Sequence, residues 1–534
     1  MIDIKDINNT HIDNTAKRYN ELQYESYPYH QSSPEKIATL GVLFGMNPAK
    51  IETARVLELG CAAGGNIIPH AINYPKGKYV GIDLSEKQID EGQDTIKKLG
   101  LKNIELKCTS ITEVNDSYGK FDYIICHGVF SWVPDFVQDK ILEICNKNLS
   151  ENGIAYISYN TLPGWNMVRT VRDMMLYHSQ GFNNIQDKII QSRALLAFVK
   201  ESTEGMDNAY AKMLAQEADL LSKQRDSYIA HEHLEDNNKQ FYFSDFMKKA
   251  TEHNLQYLSD TALTSMYLGN MKPSVVEKLK EVNDIIKTEQ YLDFINNRRF
   301  RSTLLCHNNI PLNRALNNES IKKFSMSLDI TPEKPFSEKN INHNDTVKFF
   351  FKNDPEQHIS STSPYLKGIL YVLSENKGYP IKVTTLIEKV SKLFNNDKKQ
   401  EIETELIANA MTLVIKGYID ISLNEKDKNK INLDKPCISN LALHQVNDTN
   451  NNWITGINHT AVGINIFDKF ALKYMDGNNT QKDILEHLVK EVKNKTLTVS
   501  KDNVQIEDPE IIMDEFKAYL KESITRLASQ GVFQ

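Results

Sequence analysis

The 534-residue chain has six cysteines and no CxxC pair among them, which removes the paired thiolates of zinc ribbons and thioredoxin-like redox sites. Four of the six (among Cys61, Cys108, Cys126, Cys145, Cys306 and Cys437) fall in apolar or glycine-rich runs. That usage suits reduced core residues, and a cytoplasmic location is expected from it. Long apolar runs are missing too. No stretch reaches the roughly 20 residues that cross a bilayer, so no membrane insertion is expected. The opening MIDIKDINNTHIDNTAKRYN lacks the basic, apolar, small-residue order of a secretory signal. Charge of one sign is not in large excess either: 63 Lys and Arg stand against 70 Asp and Glu. Without a basic stripe interleaved with aromatics, nucleic acid is not the expected partner.

What is present is an ordinary soluble composition, with 40% hydrophobic and 25% charged residues, on a chain too long for one core. Two to four domains of roughly 100 to 200 residues are expected. From Arg55 to Asn160 short runs dense in β-branched and aromatic residues (RVLEL, KYVGIDL, IELKC, FDYIICHG, GIAYISYN) alternate with helical patterns such as SEKQIDEGQDTIKKLG. That alternation predicts a parallel sheet with crossover helices. After Pro163-Gly164 a helical insertion follows, in which Met167, Val168, Val171, Met174 and Met175 make a stripe suited to a core or a subunit seam. The sheet resumes with a helix in FSDFMKKATEHN, a strand in LQYLSD, a helix in VVEKLKEVNDIIK and a strand in RFRSTLLCH.

Beyond His307, IKKFSMSL and DTVKFFFK read as strands. Three helices (PYLKGILYVLSE, VTTLIEKVSKLF, IETELIANAMTLVIKG) and the strand YIDISL then suggest a winged-helix-like module. A last unit carries a strand-like AVGINIFD and a helix through DILEHLVKEVK with Thr480 as its N-cap. The expected fold class is α/β, a Rossmann-like sheet with a helical insertion, followed by smaller α+β, winged-helix-like domains. The expected boundaries are 1–307 for the cofactor-binding domain, with the insertion and candidate dimerisation region at 166–240, then 308–440 and 441–534.

The chemistry concentrates at the carboxyl ends of the first four strands, where ligands of such sheets sit. RVLELGCAAGGN does not fit the dinucleotide fingerprint GxGxxG. It fits E-x-G-x-A-x-G, the loop that holds S-adenosylmethionine, with Ala62 where a second glycine is commonest. Glycines let the backbone turn sharply and approach the ligand, and a helix starting near Asn66 points amides at its carboxylate. Ala62 is compatible with this if its backbone stays in an allowed region. Asp83 ends the second strand about twenty residues after the loop, the offset at which an acid accepts from both ribose hydroxyls; an Asp there is also a common helix N-cap, and Ser85 can share that role.

The third strand ends at Ser110-Ile111, where a hydroxyl or a carbonyl must accept from the adenine amine. The fourth ends at His127-Gly128-Val129, read as a border to the methionine part and adenine rather than a general base. The expected cofactor contacts are Glu58, Gly60, Cys61, Gly64 and Asn66 in the loop, and Asp83, Leu84 and Gln88 after the second strand. Ser110, Ile111, His127, Gly128 and Val129 join them, with Tyr19 and Tyr24 upstream. No metal is expected, because His231-Glu232-His233 lacks the HExxH spacing that sets two imidazoles on one helical face.

RVLELGCAAGGN, YVGIDLS, FDYIICHGVFSWVP, GIAYISYNTLPGW and YIAHEHLED with YFSDFM resemble bacterial class I methyltransferases that carry a methyltransferase regulatory domain. Within that group the chain is most similar to the rickettsial protein lysine methyltransferases. The resemblance implies an S-adenosylmethionine-dependent enzyme that modifies lysines of an outer-membrane surface protein as a homodimer. Methyl transfer is an in-line displacement, for which the protein supplies alignment, exclusion of water and a neutral amine. Among Tyr19, Tyr24, Tyr27, Trp132, Tyr159 and Trp165, whose ring faces attract sulfonium and ammonium cations, Trp132 and Tyr159 are the expected catalytic residues. Two other readings remain open at this point: a small-molecule methyltransferase, and a catalytically silent scaffold of the same fold. A nucleic-acid methyltransferase is disfavoured, since HGVF stands where an N-P-P-Y-like tetrapeptide would follow the fourth strand.

Overall fold

The computed structural model describes residues 25–534 except 236, 336–340, 342–344, 353, 377, 427–430, 449–450, 502–503 and 507. The chain divides into two compact units, one of residues up to Ser26 with Leu40–Leu312, the other of Tyr27–Thr39 with Asn313–Gln534. In the first unit the alternating pattern becomes β1 (Arg55–Leu59), α1 (Ile68–Asn73), β2 (Lys78–Asp83), α2 (Glu86–Lys98), β3 (Ile104–Cys108), β4 (Phe121–Cys126), α3 (Asp135–Lys147) and β5 (Leu149–Asn160). After the insertion come α8 (Phe243–Glu252), β6 (Leu255–Asp260), α9 (Pro273–Lys280), α10 (Ile285–Asn296) and β7 (Phe300–His307). The sheet order is β3-β2-β1-β4-β5-β7-β6. β1 to β5 pair in parallel, while β7 runs antiparallel to both β5 and β6. Strand order reverses at β1, between β2 and β4, which opens the crevice where such sheets hold ligands.

The inner strands read as near-continuous apolar runs because helices cover both faces. Leu57, Leu59, Ile124, Cys126, Ala155 and Ile157 join Ile141 and Leu142 of α3 and Phe243, Phe246 and Met247 of α8 in one buried core. Cys61, Cys126, Cys145 and Cys306 are all buried thiols. The insertion is four helices, α4 (Trp165–Ser179), α5 (Ile185–Ser202), α6 (Ala209–Ser222) and α7 (Asp226–His233). Val171 and Met175 of the methionine stripe enter its separate core with Leu196, Leu214 and Leu221, whereas Met167 stays 38% exposed. The single helix expected across VVEKLKEVNDIIK is two: Asn283 adopts a left-handed φ of 45°, and the Asp284 side chain then caps α10 by accepting from the Ile286 and Lys287 amides.

In the second unit β8 (Ser325–Ser327) lies between β12 (Ile381–Lys382) and β13 (Asp420–Ser422). Around it stand α11 (Pro364–Asn376), α12 (Val383–Lys392) and α13 (Lys399–Ile415), the three expected helices. β9 (Ile330–Pro332), β10 (Val347–Phe351) and β11 (Asp354–Ser361) form a second small sheet, and β11 has no counterpart in the sequence reading because DPEQHISS carries one large apolar residue. AVGINIFD is a strand only over Ala461–Gly463. From there Asn465 and Asp468 form a reciprocal capping box that starts the helix Ile466–Leu472. Thr480 caps the helix Gln481–Lys493 in the same way, and a long helix, Pro509–Ser529, was not anticipated. No helix of the described residues is long and apolar enough to cross a membrane.

Candidate functional site

The loop after β1 turns on three left-handed residues, Gly60 (φ 77°), Ala62 (φ 48°) and Gly64 (φ 79°). An alanine in that region costs on the order of 1 to 2 kcal/mol, and Asp83 holds it there. Ala62 N donates to Asp83 Oδ2 at 2.8 Å, and Ser85 N donates to Asp83 Oδ1 at 2.9 Å. Asp83 thus braces the loop from the tip of β2 and keeps one further acceptor site on each oxygen. Its carboxyl is raised above the usual range by burial, against the pull of these amides. The Gly60 and Cys61 amides both donate to Ile82 O at 2.9 Å, and Gly60 has room for no side chain, since a Cβ would lie 2.5 Å from Val129 Cγ2.

Behind the loop Glu58 is 2% exposed. Asn66 Nδ2 donates to its Oε1 at 2.7 Å, while Oε2 has no hydrogen-bond partner among the described residues. Desolvation outweighs the Asn66 bond and pushes the carboxyl up to about 8. The Cys61 thiol is buried and turned under the loop toward Gly81, where a Cβ would come within 2.8 Å of its sulfur. Leu84 is half-buried and Gln88 buried at the start of α2, where the Gln88 amide donates to the capping Ser85 hydroxyl. Ser110 follows Thr109, whose amide donates to Asp83 O at 2.9 Å; its hydroxyl caps a short turn through Thr112, and Ile111 packs on the core. The structure therefore brings Gly60, Gly64, Asp83, Ser110 and Val129 together at the carboxyl ends of β1 to β4, with Glu58 and Asn66 buried behind the loop.

At the end of β4, His127 Nδ1 lies 2.8 Å from Tyr156 Oη, which is 3.0 Å from Ser302 Oγ. The Gly128 amide donates to Ser158 Oγ at 2.8 Å. Burial lowers the imidazole to about 4, so it is neutral near pH 7 and adds no cation to the rim. Trp132 sits edge-on to Trp165 with ring centroids 6.3 Å apart, in a small cluster with Val168. Tyr159 is elsewhere: its side chain points into the main core at 1% exposure, stacks on Phe246 at 4.1 Å and spends its hydroxyl on Thr303 Oγ1 at 3.0 Å. Strand alternation explains this, since Tyr159 faces away from Tyr156, Ser158 and Asn160. Tyr27 belongs to the second unit and packs on Trp453, and Tyr19 and Tyr24 lie outside the described residues.

Three features had no place in the sequence reading. Ser26 Oγ accepts from Gly65 N at 2.7 Å. Tyr156, Ser158 and Ser302 underlie His127, a set that the alternation of β5 could have suggested. Arg301, wholly buried, donates from Nε and Nη2 to both oxygens of Asp293 at 2.8 Å and to Glu289 Oε2 at 2.9 Å, with its guanidinium 3.9 Å from the centre of the Phe243 ring. Arg298 pairs with the equally buried Asp260 at 2.9 Å.

Comparisons with known proteins bear directly on this site. The family model described as "Methyltransferase domain" matches residues 51–246, "Predicted methyltransferase regulatory domain" matches 225–307, and "PKMT, C-terminal winged helix domain" matches 434–532. The structure of PKMT2 from Rickettsia typhi in complex with AdoHcy superposes with a TM-score of 0.86 at 38% identity, covering 96% of this chain and 99% of that one. An uncharacterised protein of Rickettsia prowazekii is 52% identical over 515 residues, 96% of this chain and 93% of its own length. The chain belongs to the rickettsial PKMT family. It is an S-adenosylmethionine-dependent methyltransferase with a Rossmann-like sheet. The end of the sheet fits that cofactor on its own chemistry: a turn with no room for side chains at Gly60 and Gly64, a braced carboxyl group at the tip of β2, and a buried carboxyl oxygen with no hydrogen-bond partner among the described residues.

Proposed function

We propose that this methyltransferase modifies lysine side chains of a protein, that the substrate is a surface protein of the outer membrane, and that the enzyme works as a homodimer. The observation that carries the reading is the agreement with PKMT2 over 96% of the chain, through the C-terminal domains as well as the catalytic sheet. Residues 313–534 would have little to do for a small acceptor, whereas a polypeptide needs surface to hold it. Exposed Tyr177 and Phe198 on the insertion are compatible with a subunit seam.

S-adenosylmethionine, when bound, supplies a methyl group on a positively charged sulfur. The residues of the chain do the rest. Asp83, fixed by the Ala62 and Ser85 amides, presents its remaining lone pairs to the ribose hydroxyls. Glu58, Gly60, Gly64 and Asn66 shape the turn beside the amino-acid end, and Val129, packed on Gly60, closes the side toward β4. A lysine amine titrates near roughly 10.4 in water, so it must lose its proton before it can attack. Trp132 and Trp165 favour that loss by excluding water from the charged form, while their ring faces hold the alkylated ammonium that results.

The test is mass spectrometry of an outer-membrane surface protein after incubation with the enzyme and a deuterated methyl donor. Heavy methyl groups on lysine are the expected result. Label confined to low-mass products, or found on side chains other than lysine, overturns the reading.

A further inference from the structure

Gly65 stands next to the cofactor turn, yet its own backbone does not call for glycine, since it is absent from the residues at positive φ. Its neighbour does. The Ser26 carbonyl lies so close above Gly65 that a Cβ there would overlap it, and Ser26 Oγ accepts the Gly65 amide at 2.7 Å. One residue earlier Glu25 forms an ion pair with Arg225, the residue that leads into α7. Two consecutive residues thus hold two separate parts of the first unit: Ser26 grips the glycine loop, and Glu25 grips the helical insertion. Asn66, which follows Gly65, donates to Glu58, so the grip continues into the buried carboxyl behind the loop.

We propose that Ser26 is a positioning residue of the cofactor site, and that Glu25-Ser26 is a clasp joining the glycine loop to α7, which must open before the spent cofactor leaves. The proposal rests on the reading that this loop holds the cofactor. Gly65 is required because the clasp seats a carbonyl on it, and Ser26 is required because its hydroxyl satisfies the Gly65 amide while the loop is shut. The Glu25–Arg225 pair is substantially exposed, with side chains 38% and 53% accessible, so it contributes little to overall stability. Its effect belongs to the opening rate.

The experiment measures AdoHcy dissociation from the full-length enzyme, together with KM for S-adenosylmethionine and kcat. One hydrogen bond of this kind corresponds to about a 2- to 10-fold change. Ser26→Ala is expected to speed release and raise KM by that factor, with a smaller fall in kcat. Glu25→Arg and Arg225→Glu should each speed release, and the double swap should restore the wild-type rate, which a merely structural role would not produce. Gly65→Ala should exceed Ser26→Ala; if it does not fold, the Ser26 variant and the charge swap still decide. Release unchanged by Ser26→Ala, or single swaps that the double does not repair, overturns the clasp. Asp83→Ala separates the two readings: if it leaves AdoHcy affinity intact, the cofactor assignment of the loop fails, whatever the Ser26 series shows.

Discussion

At β1 and β2 the rim is built from backbone amides and short polar side chains joined across 8 residues (Glu58 and Asn66) or 21 (Ala62 and Asp83). At β4, β5 and β7 it is built from side chains joined across 29 residues (His127 and Tyr156) or 146 (Tyr156 and Ser302). In the first half Ala62 and Asp83 are half-buried, and Asp83 keeps lone pairs for a ligand. The second is backed by a buried layer in which Tyr159 bonds Thr303 and Arg301 pairs with Asp293 and Glu289. On the proposed reading, the difference teaches that the donor of the methyl group is met by a local motif, while the acceptor side is shaped by how the regulatory segment, residues 225–307, returns to the sheet.

The largest effect should come from breaking the second half. Arg301→Ala leaves the buried Asp293 and Glu289 carboxylates without their guanidinium, and removing one partner of a buried pair costs about 3 to 5 kcal/mol. Thermal or urea unfolding should show that loss. The same segment accepts hydrogen bonds from the turn after β5, the Thr161 amide donating to Arg299 O and the Gly164 amide to Arg298 O, so methyl transfer should fall in the fraction that remains folded. A stability unchanged within experimental error would mean that the ionic cluster does not organise this half.

Asp83→Ala should do the reverse. It removes an acceptor from the ribose and frees Ala62 from its brace, so AdoHcy affinity measured by calorimetry should weaken by on the order of 1 to 3 kcal/mol. Unfolding of the ligand-free protein should move far less than with Arg301→Ala. Equal losses of stability in both variants would erase the distinction between the halves.

The donor half was legible in the sequence because its contacts are set by spacing along the chain. Gly60, Gly64 and Asp83 fall where a strand, a turn and a second strand put them, and the alternation of strands and helices gave all seven strands of the sheet. Ala62 was readable as a tolerated departure, although the amide that holds it at φ 48° depends on a side chain from the next strand. The acceptor half was legible only in outline. Tyr159 was expected to be catalytic as an aromatic residue near the motifs, but which face of the sheet it takes depends on the alternation of β5 and its pairing with β7, where it lies opposite Arg301. Asn283 and Asp284, which break the helix before β7, are ordinary polar residues in the sequence, and only their dihedrals and caps show the interruption.

Glu58 is the exception that sharpens the contrast, because it belongs to the donor half yet is buried like the acceptor half. Its carboxyl is pushed up to about 8 from an ordinary value of 4.5, chiefly by desolvation. A folded state that holds this proton more tightly than the unfolded one is most favoured below the unfolded value, and it loses that advantage as pH rises through the folded one. The ligand-free enzyme should therefore lose stability between about pH 4.5 and 8 through this group. Glu58→Gln keeps the shape and an acceptor for Asn66 but cannot ionise, so its melting temperature should match wild type near pH 5 and exceed it above pH 8. Melting curves of the two proteins across that range are the measurement. Parallel curves would mean that Glu58 stays ionised in the empty site, and the cofactor would then meet a carboxylate already formed rather than one that must first release its proton.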